Sequence, residues 1–477
     1  MSVATTISTG QRLGGGVPAT VRGRPLVRID LVRLHLIASA VWLTVSLLGG
    51  ISYSFQFQNL YPFAGIEWLS PGRIRMIHTN VAAYGFIANA FIAGMLFAIP
   101  RLTREPILSD RLGDLIFWAW QLCLTLTGIG LVLGYAQAIE WGETPIFVDP
   151  LIVLGLVLLV VNLAAPILRS REQGLYVSLW YFLSAFAWTG LVYLMGNYLP
   201  QFFVPGTAGA AITGLFIHDL VGLFVTPIGW GLMYFFVPLL LRKPIWSHAL
   251  SLIGFWGLAF FYPMQGVHHF LFSPIPMYAQ YGAVVATIAI EVVVFTVIVN
   301  FFGTLHGRSD AIRGNLAVRW FYTGMVFYGI TCFQCAFQVT LTFQKIIHFT
   351  DWVVAHAHLV MFGVFGFWIF GFFVELWPRA VGRTWAHPRN LTIHYWLTFV
   401  GVIVMVIDLT AGGLVQGFSW ANLEPWSNSV IDSMPFWWVR SFSGLMIVAA
   451  QAIFFWELWA TARRPLDEPL LAGAEAA

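Results

Sequence analysis

The sequence predicts an all-α, polytopic membrane protein built as one bundle of twelve transmembrane helices. Hydrophobic residues make up 59% of the 477-residue chain and charged residues only 9%, where a soluble chain carries roughly 25%. Apolar stretches near 20 residues recur along the whole length, and each is continuous rather than alternating, which excludes a barrel. Lys and Arg collect in alternate connections between those stretches, the distribution expected when each stretch crosses a membrane.

Residues 1–33 are rich in Ser, Thr, Gly and Arg and hold no acid before Asp30. No short apolar core with a small-residue cleavage site lies there, so the expectation is a disordered cytoplasmic tail leading into an uncleaved first helix. Spans 34–56 and 77–100 lead to Arg101, Arg104 and Arg111. Spans 114–138 and 149–168 lead to Arg169 and Arg171. Spans 175–197 and 210–241 lead to Arg242 and Lys243. Spans 248–272 and 277–305 lead to Arg308, Arg313 and Arg319. Spans 318–344 and 350–378 lead to Arg379, Arg383 and Arg389, and spans 390–414 and 434–461 end at Arg463 and Arg464. Residues 462–477 read as a second cytoplasmic tail. With the N-terminus inside, 20 of the 24 basic residues fall on the inner side, and only Arg73, Arg75, Lys345 and Arg440 fall outside. Both ends are therefore expected in the cytoplasm, around one membrane domain, 34–461. The scattered basic residues form no face suited to nucleic acid, and the lipid bilayer is the expected environment.

The three cysteines, Cys123, Cys332 and Cys335, lie in apolar runs. The stretch TCFQC, 331–335, has metal-pair spacing but no second pair, so small apolar packing is the expectation.

Among twelve histidines, His35, His248, His306, His387 and His394 fall at inner ends or loops, as interfacial polar residues do, and His348 lies at an outer end. The other six are His78, His218, His268, His269, His356 and His358. On four different spans, all sit roughly 3–12 Å below the outer surface at 1.5 Å per residue. A layer of neutral imidazoles with almost no cysteine or carboxylate beside it suits copper and haem iron. His356 and His358 stand about 200° apart around a helix, so they serve two metals on its two sides. His268 and His269 can converge with His218 on one metal. His356 is then placed for a haem facing that metal, and His78 and His358 for a second haem held from both faces.

This pattern resembles the catalytic subunit of the haem–copper oxidase superfamily, closest to the C-family, the cbb-type cytochrome c oxidases. The resemblance spans about residues 30–465. It rests on GRIRMIHTN (72–80), IHDLVGLFVTPIGWGLMYFFVP (217–238), FFYPMQGVHH (260–269) and HFTDWVVAHAH (348–358). It implies a twelve-helix bundle of the haem–copper oxidase type, with His218, His268 and His269 on copper. It further implies His356 on a high-spin haem iron, and His78 and His358 on a low-spin haem iron. In the C-family a tyrosine of the seventh helix is covalently linked to a copper ligand. Tyr262 matches that position, and His218 is the implied partner. Two haem b groups, one copper ion, membrane-bound cytochrome c subunits as electron donors, O2 as substrate and the bacterial inner membrane follow from the same resemblance.

Reducing O2 to water takes four electrons and four protons. Tyr262, a phenol beside the copper, can supply one of each. Protons must reach a site near the outer surface from inside. Ser251, Tyr234, Tyr328 and Thr331 are the candidate hydroxyls of that path, on spans 6, 7 and 9, and the path is coupled to proton uptake and pumping. Arg75 and Arg440 are candidates to pair with haem propionates. Glu140 and Glu143 resemble a family region tied to calcium.

Three residues depart from the C-family pattern. Gln334 replaces a glutamate, Gly254 a histidine, and Asp219 an asparagine. They bear on proton uptake more than on metal binding. The rival within the superfamily is a nitric oxide reductase joining two NO into N2O. Its well-known members support non-haem iron with extra glutamates and lack the linked tyrosine. A transporter or haem-binding assembly protein is the third reading, and it leaves Tyr262 and the opposed His356 and His358 unexplained.

Overall fold

A computed structural model describes residues 19–172 and 174–466. The expected tails lie partly outside the described residues, at 1–18 and 467–477. The described chain is a bundle of long helices: α1 Ile29–Gln58, α2 Pro71–Thr103, α3 Asp110–Leu133, α4 Asp149–Arg169, α5 Val177–Phe203, α6 Gly206–Leu241, α7 His248–Phe270, α8 Met277–Leu305, α9 Leu316–Gln338, α10 Asp351–Val381, α11 Pro388–Ala421 and α12 Trp426–Ala462. All but α9 are by themselves long and apolar enough to cross a membrane. The segment at α9 reaches that only together with the short helix Leu341–Ile347, which turns off it by 103°.

Several boundaries differ from the sequence reading. The first helix begins at Ile29 rather than 34. Ahead of it, Thr20–Val21 pairs antiparallel with Arg24–Pro25. Arg24 clamps Asp110 through two nitrogens, and Arg28 lies between Asp30 and Asp114. Residues 19–33 are thus held by charge pairs and do not form a loose tail. The third span stops at Leu133, because Gly134 takes φ 89° and ends the helix, not at 138. The ninth ends at Gln338 instead of 344. The α8 helix is interrupted at Ile290, between Met277–Ala289 and Glu291–Leu305. The last two helices run several residues past the apolar limits the sequence suggests.

The departure that matters most is in α7. The α-helix ends at Phe261, and two 3₁₀ turns follow, Tyr262–Met264 and Gly266–Phe270. Pro263 at the second residue of the first turn and Gly266 at the start of the next account for the change of pitch. Tyr262, His268 and His269 therefore do not sit on a regular α-helix.

Burial sorts the helices. In α2, α6 and α10, 89%, 94% and 72% of the apolar window is buried inside the protein, against 33% in α3 and 28% in α4. The three enclosed helices carry His78, His218, His356 and His358. The α7 helix, with 39%, closes the site from the periphery. Trp230, Trp320, Trp368, Tyr181 and Tyr234 are fully buried and fill the middle of the bundle.

Candidate metal centres

Three of the enclosed histidine positions share a backbone device. Directly after His78, His218 and His358 the chain passes through a π-helical stretch, at Val81–Ile87, Val221–Val225 and Leu359–Gly366. Each stretch contains glycine: Gly85, Gly222, and Gly363 with Gly366. A π turn inserts a residue and re-aims the side chains around it, and such turns gather at functional sites. Hydropathy gives no sign of them.

The tightest cluster is His218, His268 and His269. One nitrogen of each lies within 4.8 Å of the others, and no other group of three or more His, Cys, Asp or Glu converges so among the described residues. Neighbours decide which nitrogen faces inward. Thr287 donates its hydroxyl to the Ala283 carbonyl, so its oxygen accepts from His268 Nδ1 at 2.7 Å and leaves Nε2 free. Gln265 donates its amide NH2 to the Ala286 carbonyl, so its Oε1 accepts from His218 Nε2 at 3.0 Å. His218 Nδ1 then faces His269 Nε2 at 3.2 Å. A cation with bonds of about 2 Å bridges such a gap and satisfies both nitrogens. The donor set, three neutral imidazoles, fits copper. Tyr262 stacks on His218, with ring centroids 4.4 Å apart and planes at 18°. Gly222 makes room for it, since a Cβ there would lie 1.6 Å from Tyr262 Cε1.

His78 and His358 face each other differently. Their ring centroids are 6.3 Å apart with planes at 22°. His78 Nδ1 donates to the Ser46 carbonyl at 2.7 Å and His358 Nδ1 to the Val354 carbonyl at 2.8 Å, which leaves both Nε2 atoms free. Both rings line a cavity of about 360 Å³. Gly50 lies against His78, where a Cβ would come within 2.8 Å of the ring. An open apolar chamber with two free imidazole nitrogens across it fits a haem ligated from both faces. Arg75, Arg440, Glu140 and Asp351 line the same cavity. Arg75 lies 3.7 Å from Glu140 and 3.6 Å from Glu143. Arg440 stands 4.0 Å from Asp351 and over the Phe57 ring at 4.7 Å. Both cations thus border the space where propionates would lie, but each already has carboxylate company. Glu143, in the loop before α4, is buried, accepts from Asn80 at 2.7 Å, and has its carboxyl pushed up by that burial. Sequence reasoning missed Asp351, which accepts from Gln416 and Trp437 at 2.7 and 2.8 Å.

His356 is set apart from the pair. Its Nδ1 faces Gln334 Oε1 at 3.2 Å and its Nε2 faces Cys335 Sγ at 3.5 Å. Gln334, one of the departures, thus contacts the expected haem ligand directly. Cys335 does as well, which plain apolar packing does not describe. The candidate hydroxyls are only partly connected. Ser251 is fully buried and donates to the His248 carbonyl. Tyr181 of α5 bridges it to Tyr234, with a 3.5 Å contact to the Ser251 carbonyl and a ring stacked on Tyr234 at 6.0 Å. Tyr234 accepts from Asn300 at 3.4 Å. Tyr328 packs edge-on against Trp230, and Thr331 Oγ1 is buried without a partner. His35 and His394, read as interfacial, are fully buried, on Asn89 and Gln451 respectively.

Three converging imidazoles beside two opposed ones, in a bundle of helices long and apolar enough to cross a membrane, are the donor set of a metal-binding membrane protein. The family model described as "Cytochrome C and Quinol oxidase polypeptide I" matches residues 30–446. The chain belongs to this family and is a haem–copper oxidoreductase subunit. It is 26% identical over 458 residues to the cytochrome c oxidase subunit 1 of Rhodobacter capsulatus, covering 91% of this chain and 86% of that one. It is also 26% identical over 448 residues to the cbb3-type cytochrome c oxidase subunit CcoN1 of Stutzerimonas stutzeri, covering 90% and 94%. A heme–copper terminal oxidase dimer solved by cryo-EM shares the fold, with a TM-score of 0.74 at 14% identity over 92% of this chain and 85% of that one.

Proposed function

We propose that the chain is the catalytic subunit of a terminal oxidase that reduces O2 to water with electrons from cytochrome c. The observation that carries this is the His218, His268 and His269 cluster with Tyr262 stacked on His218. His218, His268 and His269 hold copper, His356 a high-spin haem b, and His78 with His358 a low-spin haem b. Haem iron and copper, when bound, supply the electrons and the place at which O2 is reduced. The protein's own work is positional. Thr287 and Gln265 fix two imidazole tautomers. Tyr262 hands over a proton and an electron, and its link to His218 belongs to this reading. Arg75 and Arg440 balance the propionates, and calcium at Glu140 would compete with the Arg75 guanidinium for the same carboxylates. Protons come from the inner face past Tyr234, Ser251, Tyr328 and Thr331. The setting is the bacterial inner membrane with both termini cytoplasmic, and membrane-bound cytochrome c subunits deliver electrons.

One observation favours the second reading, reduction of 2 NO with two electrons and two protons to N2O and H2O. Glu291 lies four residues past Thr287 with one carboxyl oxygen buried, and extra glutamates mark that activity. It is not among the side chains that converge on the trio. Bound metal and turnover separate the two. Purified protein assayed with reduced cytochrome c should carry one copper per two haem irons and consume O2. Iron without copper, with NO but not O2 consumed, would replace the oxidase reading.

A further inference from the structure

Asp351 opens α10, the helix that carries His356 and His358 five and seven residues further on. Thr350 caps that helix, its hydroxyl accepting from the Trp352 amide. The start of the helix is pressed against α11, because a Cβ on Gly413 would collide with the Trp352 backbone and one on Gly417 with the Ile346 carbonyl. Gln416 of α11 accepts from the Asp351 amide at 2.8 Å and donates to Asp351 Oδ2 at 2.7 Å. Trp437 of α12 donates its indole N–H to the same oxygen at 2.8 Å. Gln58, the last residue of α1, donates in turn to the Trp437 carbonyl. Four helices thus fix one carboxylate, and Asp351, Gln416, Trp437 and Gln58 are all buried.

Oδ2 is saturated by these two donors, and Oδ1 is the oxygen nearest Arg440. The distance from Oδ1 to Arg440 Nη1 is 4.0 Å, too long for a hydrogen bond. Among the described residues, the only other ion-pair, hydrogen-bond or ring partner of the guanidinium is the Phe57 ring at 4.7 Å. Asp351 and Arg440 both line the chamber between His78 and His358. A guanidinium in such a place needs acceptors for its N–H groups, and this one keeps them for an anion inside the chamber. A carboxylate free to rotate would close on Arg440 as a bidentate pair and take those donors. Gln416 and Trp437 prevent that. The arrangement places a fixed negative charge behind a positive one whose donors remain unused.

We propose that Asp351 is a positioning residue for the low-spin haem, acting through Arg440. Held off by Gln416 and Trp437, it leaves the Arg440 donors to the haem propionate and offsets the arginine charge, and so sets the reduction potential of that haem. This rests on the propionate role given to Arg440 above.

Asp351→Asn keeps the volume and an oxygen for Trp437 and Gln416 but removes the charge. The purified holoenzyme carrying it should retain copper and both haems. Redox titration followed in the low-spin optical band should show a higher midpoint potential, because an uncompensated Arg440 favours the haem that holds the extra electron. The expected change is about tenfold in the one-electron equilibrium, or about 59 mV. Asp351→Glu restores the charge and should bring the potential back toward the parent's. A low-spin potential that Asp351→Asn leaves unchanged or lowers would overturn the proposal. So would a shift that Asp351→Glu does not reduce, which would make Asp351 only an anchor for α10. If Asp351→Asn fails to assemble, Arg440→Gln decides. It should lower the same potential, and an unmoved potential would overturn the role of the pair. A parent without a low-spin band would overturn the haem site and this inference with it, whereas a parent band whose potential ignores Asp351 overturns the inference alone.

Discussion

The two imidazole groups solve opposite packing problems. His218, His268 and His269 crowd together until their nitrogens lie within 4.8 Å. His78 and His358 are held apart across a cavity of about 360 Å³. The first is what a bare ion needs, with two of the three rings locked by a neighbour, His268 by Thr287 and His218 by Gln265. The second is what a large flat group needs, where the main requirement is that side chains stay away, as Gly50 does beside His78. An ion site is made by convergence and a haem site by exclusion, and the two should fail in different ways.

The sharpest break is on the crowded side. His268→Ala should abolish turnover and remove copper while both haem spectra persist, since the opposed pair shares no residue with the trio. Metal analysis with optical spectra checks this. Loss of haem along with copper would mean that the two sites fold as one unit. Next comes Gly222→Ala. Its Cβ would fall 1.6 Å from Tyr262 Cε1, so the phenol must leave His218. Turnover should fall on the order of 10²-fold with copper retained, and a copper loss equal to that of His268→Ala would instead make Tyr262 part of the binding site. Thr287→Val should be milder, weakening copper binding or activity about 10–100-fold by releasing the His268 tautomer. Titration with a copper chelator reads it.

On the open side, Gly50→Ala should disturb only the low-spin haem. Its Cβ would come within 2.8 Å of the His78 ring, and the low-spin optical band should weaken with copper content unchanged. The smallest effect is expected at Glu143, which lies 3.6 Å from the cavity-lining Arg75. Burial pushes the Glu143 carboxyl up, so the folded protein binds this proton more tightly than the unfolded chain does. Stability is then lost as pH rises from the ordinary glutamate value of 4.5 through the raised one. Thermal unfolding across that window should show this slope in the parent and not in Glu143→Gln. A parent curve no steeper than the variant's would show that Arg75 and Asn80 fully offset the burial.

The sequence was most legible where chemistry and periodicity coincide. Continuous apolar runs and alternating Arg clusters place the helices. Six imidazoles at one depth point to metals, and the opposed His356 and His358 separate two of them. It was least legible where the backbone leaves the α-helix. The 3₁₀ turns that carry Tyr262, His268 and His269 arise from Pro263 and Gly266 in a run that hydropathy reads as continuous. The π turns after His78, His218 and His358 have no hydropathy signature at all. Locking groups such as Thr287, Gln265 and Ser46 are ordinary polar residues until the fold brings a histidine to them.

The central claim is that three histidines, and nothing else from the chain, form the copper site. Copper-edge X-ray absorption on the purified, oxidised protein tests it most directly. A shell of about three nitrogens near 2 Å with no sulfur is the predicted result. Sulfur scattering from Cys335 at copper, or no copper in protein whose haems are fully loaded, would contradict it.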